Sequence, residues 1–181
     1  MKPFNENTSQ TLKIALVGTP NVGKSVVFNV LTGSHAAVSN YPGTTVEVSR
    51  GRLRLGGKDL HVVDTPGMYS LLPVTEEERV ARRLLLSDPP DLVLHVADAK
   101  DLARGLPLTL QLMEAGFKVL LVANMEDEAR EMGLAIDGAR LEDLLGVPVV
   151  LTSAVRDGGL DVLRRRLREW VGGMTQTWKQ R

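Results

Sequence analysis

Residues 18–25 read G-T-P-N-V-G-K-S, from Gly18 to Ser25. The short apolar run Leu12-Lys13-Ile14-Ala15-Leu16-Val17 just before them has the length and composition of a buried strand. Val26 to Leu31, just after them, reads as a helix closed by Gly33. Strand, glycine-bounded loop and helix in this order are the context a phosphate-binding P-loop requires. In such a loop the backbone N–H groups, here from Gly18 through Asn21, Val22 and Gly23 to Val26, wrap a β-phosphate, and the helix N-terminus adds partial positive charge. Lys24 is placed to reach the β- and γ-phosphates, and the Ser25 hydroxyl to ligate Mg²⁺. Gly18 and Gly23 are expected to be glycine because a side chain there would block close approach or a positive φ.

With 181 residues the chain can form one domain with its own core and needs neither a disulfide nor a structural metal. It has no cysteine, which removes disulfide frameworks, thiolate zinc sites, iron–sulfur clusters and cysteine nucleophiles together. The 22 basic and 22 acidic residues cancel. That balance argues against a strongly basic nucleic-acid binder, though not against a local patch. No apolar stretch approaches the roughly 20 residues needed to span a bilayer. The polar segment Met1 to Gln10 lacks the apolar core of a secretory signal. The expectation is a soluble, intracellular-type domain over 11–172, with a flexible N-terminus at 1–10 and a tail or boundary at 173–181.

Apolar runs alternate with helical patterns, which predicts an α/β fold with a mostly parallel sheet covered on both faces. Six strands are expected near 12–17, 46–55, 58–63, 91–97, 118–123 and 148–152. The second and third flank Gly56-Gly57, a hairpin signal, so that pair should be antiparallel. Helices are expected near 24–32, 75–87, 107–115, 127–132, 138–145 and 159–171. Thr75 and Glu78 form a capping box, and Pro107 suits a first helical turn. Leu160, Leu163, Leu167, Trp170 and Val171 share one face of the last helix.

Four later segments bear on which nucleotide the P-loop would hold. Asp64-Thr65-Pro66-Gly67 closes the third predicted strand; its aspartate can hold Mg²⁺ through water, and the Gly67 N–H can bind a γ-phosphate. The loop N-Y-P-G-T-T-V-E, from Asn40 to Glu47, offers a threonine hydroxyl to the metal and its N–H to the γ-phosphate. Such a loop, held only by a phosphate, should be mobile with a diphosphate bound. Asn124-Met125-Glu126-Asp127 follows the fifth strand at the sheet edge where ligands bind. The Asp127 carboxylate can accept from guanine N1–H and its exocyclic amine; adenine has no N1–H and would leave it buried and unpaired. Ser153 and Ala154, after the sixth strand, could offer backbone N–H groups to guanine O6. Each segment taken alone also reads as an ordinary turn or helix cap. Together and in order they point to GTP and GDP.

With these residues read, the chain resembles the small TRAFAC-type G domains, and more closely the N-terminal G domain of the FeoB family of bacterial ferrous iron transporters. The likeness covers roughly residues 12–171. It is carried by N-Y-P-G-T-T-V-E, D-T-P-G-M-Y-S-L from Asp64, P-D-L-V-L-H-V-A-D-A from Pro90, L-T-L-Q-L-M-E-A-G from Leu108 and L-L-G-V-P-V-V-L-T-S-A from Leu144. The resemblance implies a Ras-like P-loop GTPase fold and makes Thr45, rather than Thr44, the metal-binding threonine. It implies that Asn21 helps bind K⁺ beside the phosphates, where the cation offsets transition-state charge. It implies partners too: the helical and membrane-spanning parts of a full-length transporter at the cytoplasmic face of the inner membrane, with self-association open and no nucleic acid.

Two residues depart from the general G-domain pattern. The usual guanine motif is N-K-x-D, but position 125 is Met, whose stem can cover the base yet cannot tie its charge to the P-loop. Weak affinity and fast GDP release are therefore expected. Met68 stands where Ras-like enzymes carry a water-orienting Gln. The reading is a slow, Mg²⁺-dependent, K⁺-stimulated GTPase in which Lys24, Asn21, Thr45 and Gly67 act on the γ-phosphate. Alternatives are a nucleotide-sensing switch with incidental hydrolysis, or a soluble ribosome-associated GTPase. His35, His61 and His95 are scattered; His95 should be packed and hydrogen-bonded, and His61 should face outward or sideways in the third strand. Glu76-Glu77-Glu78 suits a helix dipole, Arg164, Arg165, Arg166 and Arg168 a solvated helix face or one turned toward lipid headgroups or a further domain, and Trp170 and Met113 the core.

Overall fold

The computed structural model describes residues 11–33 and 36–173. The N-terminal lead-in, His35 and nearly all of the expected tail lie outside the described residues. Among the described residues, seven strands form one sheet: β1 (Leu12–Val17), β2 (Ala37–Asn40), β3 (Glu47–Leu55), β4 (Lys58–Asp64), β5 (Leu92–Asp98), β6 (Val119–Asn124) and β7 (Val149–Leu151). Their order is β2-β3-β4-β1-β5-β6-β7. The β3–β4 pair is antiparallel as its Gly-Gly turn predicts, β2 joins β3 antiparallel, and the remaining neighbours are parallel.

The expected six strands are therefore seven. The additional one, β2, is a four-residue edge strand with every residue exposed, so it carries no apolar alternation to read. It pairs Asn40 with Glu47, which makes the N-Y-P-G-T-T loop a hairpin connection.

Six helices among the described residues cover the sheet: α1 (Lys24–Thr32), α2 (Glu76–Ser87), α3 (Leu102–Glu114), α4 (Glu126–Glu131), α5 (Gly138–Leu145) and α6 (Leu160–Val171). On one face, Val27, Phe28 and Leu31 of α1 and Leu160, Leu163 and Leu167 of α6 close over Ile14, Leu16, Leu60, Val62, Leu94 and Leu120. On the other, Ala81 and Leu85 of α2 and Leu108 and Leu112 of α3 cover Ala15, Val17 and Val93. The strands that carry the candidate motifs are thus packed on both sides. Trp170 and Met113 sit at the margins of these cores, half-buried. The capping box at Thr75 and Glu78 is formed in full.

Helix α3 begins at Leu102, five residues earlier than expected, with Pro107 inside it. A 3₁₀ turn at Ala99–Asp101 leads in, and the Asp101 side chain accepts from Arg104 N–H to cap it. Pro107 is exposed and lacks one helical hydrogen bond, a loss that capping and the buried Leu108 and Leu112 face outweigh. The run of basic residues on α6 is not uniformly solvated either. Arg164 donates to the Val30 carbonyl at 2.8 Å and Arg166 pairs with Glu142 at 3.0 Å, whereas Arg165 and Arg168 are exposed.

Candidate functional site

The candidate segments gather at the C-terminal ends of β1, β4, β6 and β7. The P-loop leaves β1 and enters α1 without a side-chain cap: Gly23 occupies the N-cap position at φ 79°. A Cβ at Gly23 would sit 2.3 Å from Asn124 Nδ2, and one at Gly18 would sit 2.2 Å from the Val96 carbonyl oxygen. The first glycine is thus required by conformation and space, the second by close approach to β5.

Lys24, Ser25 and Asp64 meet. The Lys24 ammonium pairs with Asp64 Oδ1 and also reaches the Thr65 carbonyl, while Ser25 Oγ donates to Asp64 Oδ2 at 2.7 Å. Lys24 and Asp64 are nearly buried, so this is a desolvated ion pair with a hydroxyl attached. Two groups expected on one metal shell are already in contact. Met68 N–H donates to the Gly18 carbonyl at 3.0 Å, stitching the segment after β4 to the P-loop, and Gly67 lies against Pro20. Met68 itself is fully buried in the α2–α3 core.

Asn124 is the hub on the base side. Its Nδ2 donates to the Val22 carbonyl at 3.0 Å, and its Oδ1 accepts from Thr152 Oγ1 at 2.9 Å and Ala154 N–H at 3.0 Å. One buried side chain therefore ties the P-loop, β6 and the loop after β7. Met125 stands at φ 64° and opens α4. The Asp127 N–H donates to Ser153 Oγ at 3.0 Å. The Asp127 carboxylate is half-buried and lies 3.0 Å from Arg156 Nε. Partial desolvation raises its pKa, but the Ser153 hydroxyl, the Glu128 N–H and Arg156 outweigh this and hold it below the usual value. The Ser153 N–H is engaged by the Gly158 carbonyl, as the Ala154 N–H is by Asn124.

Thr45 is exposed, and its hydroxyl makes no hydrogen bond among the described residues. Neighbouring Thr44 is spent locally, donating to the Tyr41 carbonyl and accepting from Val46 N–H. Asn21 stands exposed at φ 66° with its amide unpaired among the described residues. It lines a recess of about 250 Å³ with Tyr69, Asp98, Asp101 and Arg104. A larger cavity, about 770 Å³, lies at Lys13, Arg50, Arg52 and His61, at the far end of β1 from the P-loop.

Several contributors were not legible as site residues. Arg156, which pairs with Asp127 and Glu131, drew no reading from the sequence. Glu78 does more than cap α2: its buried carboxylate also accepts from Tyr69 N–H at 3.1 Å and Val74 N–H at 2.8 Å, closing the 69–75 segment into a loop. Those N–H groups, Val74 first, depress its pKa. Gln111 of α3 adds to this by accepting from Ser70 Oγ and Leu71 N–H. His61 faces outward; His95 is buried on β5, its Nδ1 2.8 Å from Thr109 Oγ1 and its Nε2 unpartnered among the described residues.

A central parallel sheet, a P-loop after its first strand and an Asn-x-x-Asp segment at the end of β6 define a P-loop domain of the G-domain class. A family profile described as Ferrous iron transport protein B matches residues 12–167. The chain belongs to that family, FeoB, and carries its N-terminal G domain. An Fe(2+) transport protein A/Fe(2+) transporter FeoB fusion protein of Porphyromonas gingivalis is 42% identical over 153 residues, covering 84% of this chain and 18% of that protein. The chain spans about a fifth of the length of the curated relatives it matches. The crystal structure of the T. maritima FeoB G domain superposes with a TM-score of 0.81 at 40% identity, covering 89% of this chain and 99% of that one. The T. maritima cytosolic domain in a GDP form gives 0.84 at 41%, covering 88% and 63%, and its GMPPNP form gives 0.84 at 41%, covering 88% and 64%.

Proposed function

We propose that this domain binds guanine nucleotide and hydrolyses GTP, and that in the full-length transporter its nucleotide state regulates or drives Fe²⁺ movement from the cytoplasmic face of the inner membrane. The observation that carries the reading is the Asn124 hub, which joins the phosphate loop to the base loop through three buried hydrogen bonds. The GDP and GMPPNP forms of the T. maritima relative support it.

On binding, Lys24 exchanges Asp64 for β- and γ-phosphate oxygens, and the N–H groups from Gly18 to Val26 surround the β-phosphate. The Gly67 N–H meets the γ-phosphate. Asp127 accepts from guanine N1–H and the exocyclic amine, while Met125 covers the base. Ser153 and Ala154 present their N–H groups to O6 once Gly158 and Asn124 release them. Ser25, Asp64 through water, and the free hydroxyl of Thr45 fit Mg²⁺, which when bound neutralises phosphate charge and helps orient the γ-phosphate. The unpaired Asn21 amide fits K⁺, a second positive charge beside the phosphates.

Hydrolysis should be slow, because buried Met68 presents no group to the attacking water. That same burial favours a second reading, a nucleotide-sensing switch whose hydrolysis is incidental. Phosphate release from GTP, with Mg²⁺ and either K⁺ or Na⁺, separates the two. Catalysis predicts K⁺-stimulated turnover that Lys24→Ala abolishes and in which Asn21→Ala removes the K⁺ effect; turnover indifferent to the cation and to both substitutions would favour the switch.

A further inference from the structure

Position 125 has no charge, yet a cation stands beside it. Met125 lies against the P-loop, with its Cε 3.7 Å from where a Cβ on Gly23 would be. On its other side Lys100, from the 3₁₀ turn after β5, brings its ammonium 3.5 Å from Met125 Sδ. A thioether is a weak acceptor and cannot hold a lysine by itself. Two carboxylates do so: Glu128 of α4 pairs with the ammonium directly, and Asp98 at the end of β5 lies 3.7 Å away. Lys100 thus joins β5, the base loop and α4 at one point, and its side chain is only about a quarter exposed. Its pKa is raised, above all by the hydrogen bond it donates to the Glu128 carboxylate, so it stays charged throughout the physiological range.

Building on the guanine-nucleotide reading above, we propose that Lys100 is a positioning residue for nucleotide binding: it holds Met125 against the P-loop and supplies the positive charge that position 125 lacks. The sign follows from its neighbours. Without Lys100, Asp98 and Glu128 would stand unneutralised beside an anionic ligand, and Met125 would lose the contact that seats it. Both effects weaken binding, and the first is screened by salt.

The test is fluorescent mant-GDP binding to the purified chain at about 20 mM and about 1 M salt, a range over which the screening length falls severalfold. Lys100→Met should bind about tenfold more weakly at low salt, and the gap should shrink to about threefold or less at high salt. Placing the charge at the other position, in Lys100→Met with Met125→Lys, should restore low-salt affinity. Binding by Lys100→Met within about twofold of wild type, or a loss that salt does not change, would overturn the proposal. Should Lys100→Met fail to fold by circular dichroism, Lys100→Arg decides: it keeps the charge and should stay within about threefold of wild type, and a tenfold loss at an unchanged unfolding midpoint would refute the charge reasoning. A wild-type chain that bound no GDP would instead remove the underlying nucleotide reading, and this proposal with it.

Discussion

Asn124→Ala tests whether one side chain couples the two halves of the candidate site. Asn124 is 1% exposed. Its removal strands the Val22 carbonyl, the Thr152 hydroxyl and the Ala154 N–H at once. A buried polar group left without its partner costs about 1–3 kcal/mol. The Thr152 hydroxyl can rotate and water can enter the space, so the low end applies to each, and the sum is about 3 kcal/mol. Against a typical domain stability of about 5–15 kcal/mol this is a large fraction, yet the variant should still fold. Thr152→Val removes one of the three bonds and should cost about 1 kcal/mol. Urea unfolding followed by circular dichroism measures both. Because the Val22 tether is also lost, folded Asn124→Ala should release GDP at least about tenfold faster, as the P-loop no longer holds register with the base loop. A stability loss below about 1 kcal/mol, or an unchanged release rate, would show that the hub is not a coupling element.

Three further outcomes follow from the packing and the charges. Burial lowers His95 from 6.5 to about 4, so its stabilising neutral form is fully favoured above pH 6.5 and is lost as pH falls toward 4. Between pH 7 and pH 4, wild type should lose about 3 kcal/mol more than His95→Gln in denaturant titrations; parallel pH profiles would refute this. Gly18→Ala should be among the most damaging single-methyl changes, because its Cβ would press on the Val96 carbonyl at 2.2 Å, and an unchanged unfolding midpoint would show that the P-loop can shift away. Glu78→Gln should speed amide exchange at Tyr69, Val74 and Thr75 by about tenfold or more while leaving the β-sheet amides unchanged. Since those N–H groups hold the Glu78 carboxylate below its usual pKa, the loop they close should persist above the carboxylate range and loosen as pH falls through it.

Local chemistry was legible in the sequence; contacts between distant segments were not. The P-loop, the Gly56-Gly57 hairpin and the Thr75–Glu78 box each rest on residues within a few positions of one another, and each formed where expected. The edge strand β2 escaped because all its residues face solvent, leaving no alternation. The start of α3 was displaced because Pro107 signals a first turn, whereas the 3₁₀ turn and the Asp101 cap set the true one. Arg156, Lys100 and Glu78 were invisible as site residues for one reason: each acts on a partner brought near by the sheet or by a loop closing back on itself. Of the three, only Glu78 carried a reading from its residue type, as a helix cap. Met125 and Met68, by contrast, announced themselves as departures from a motif, and the structure places one against the P-loop and the other in the core.

The most direct measurement is titration calorimetry of GDP, GTP and ATP against the wild-type chain and Asp127→Ala. GDP and GTP should bind the wild type with ATP far weaker, and Asp127→Ala should lose that preference, because adenine offers no N1–H to the carboxylate that β6 and Ser153 hold in place. ATP binding as tightly as GTP, or guanine preference surviving in Asp127→Ala, would contradict the assignment of the base site.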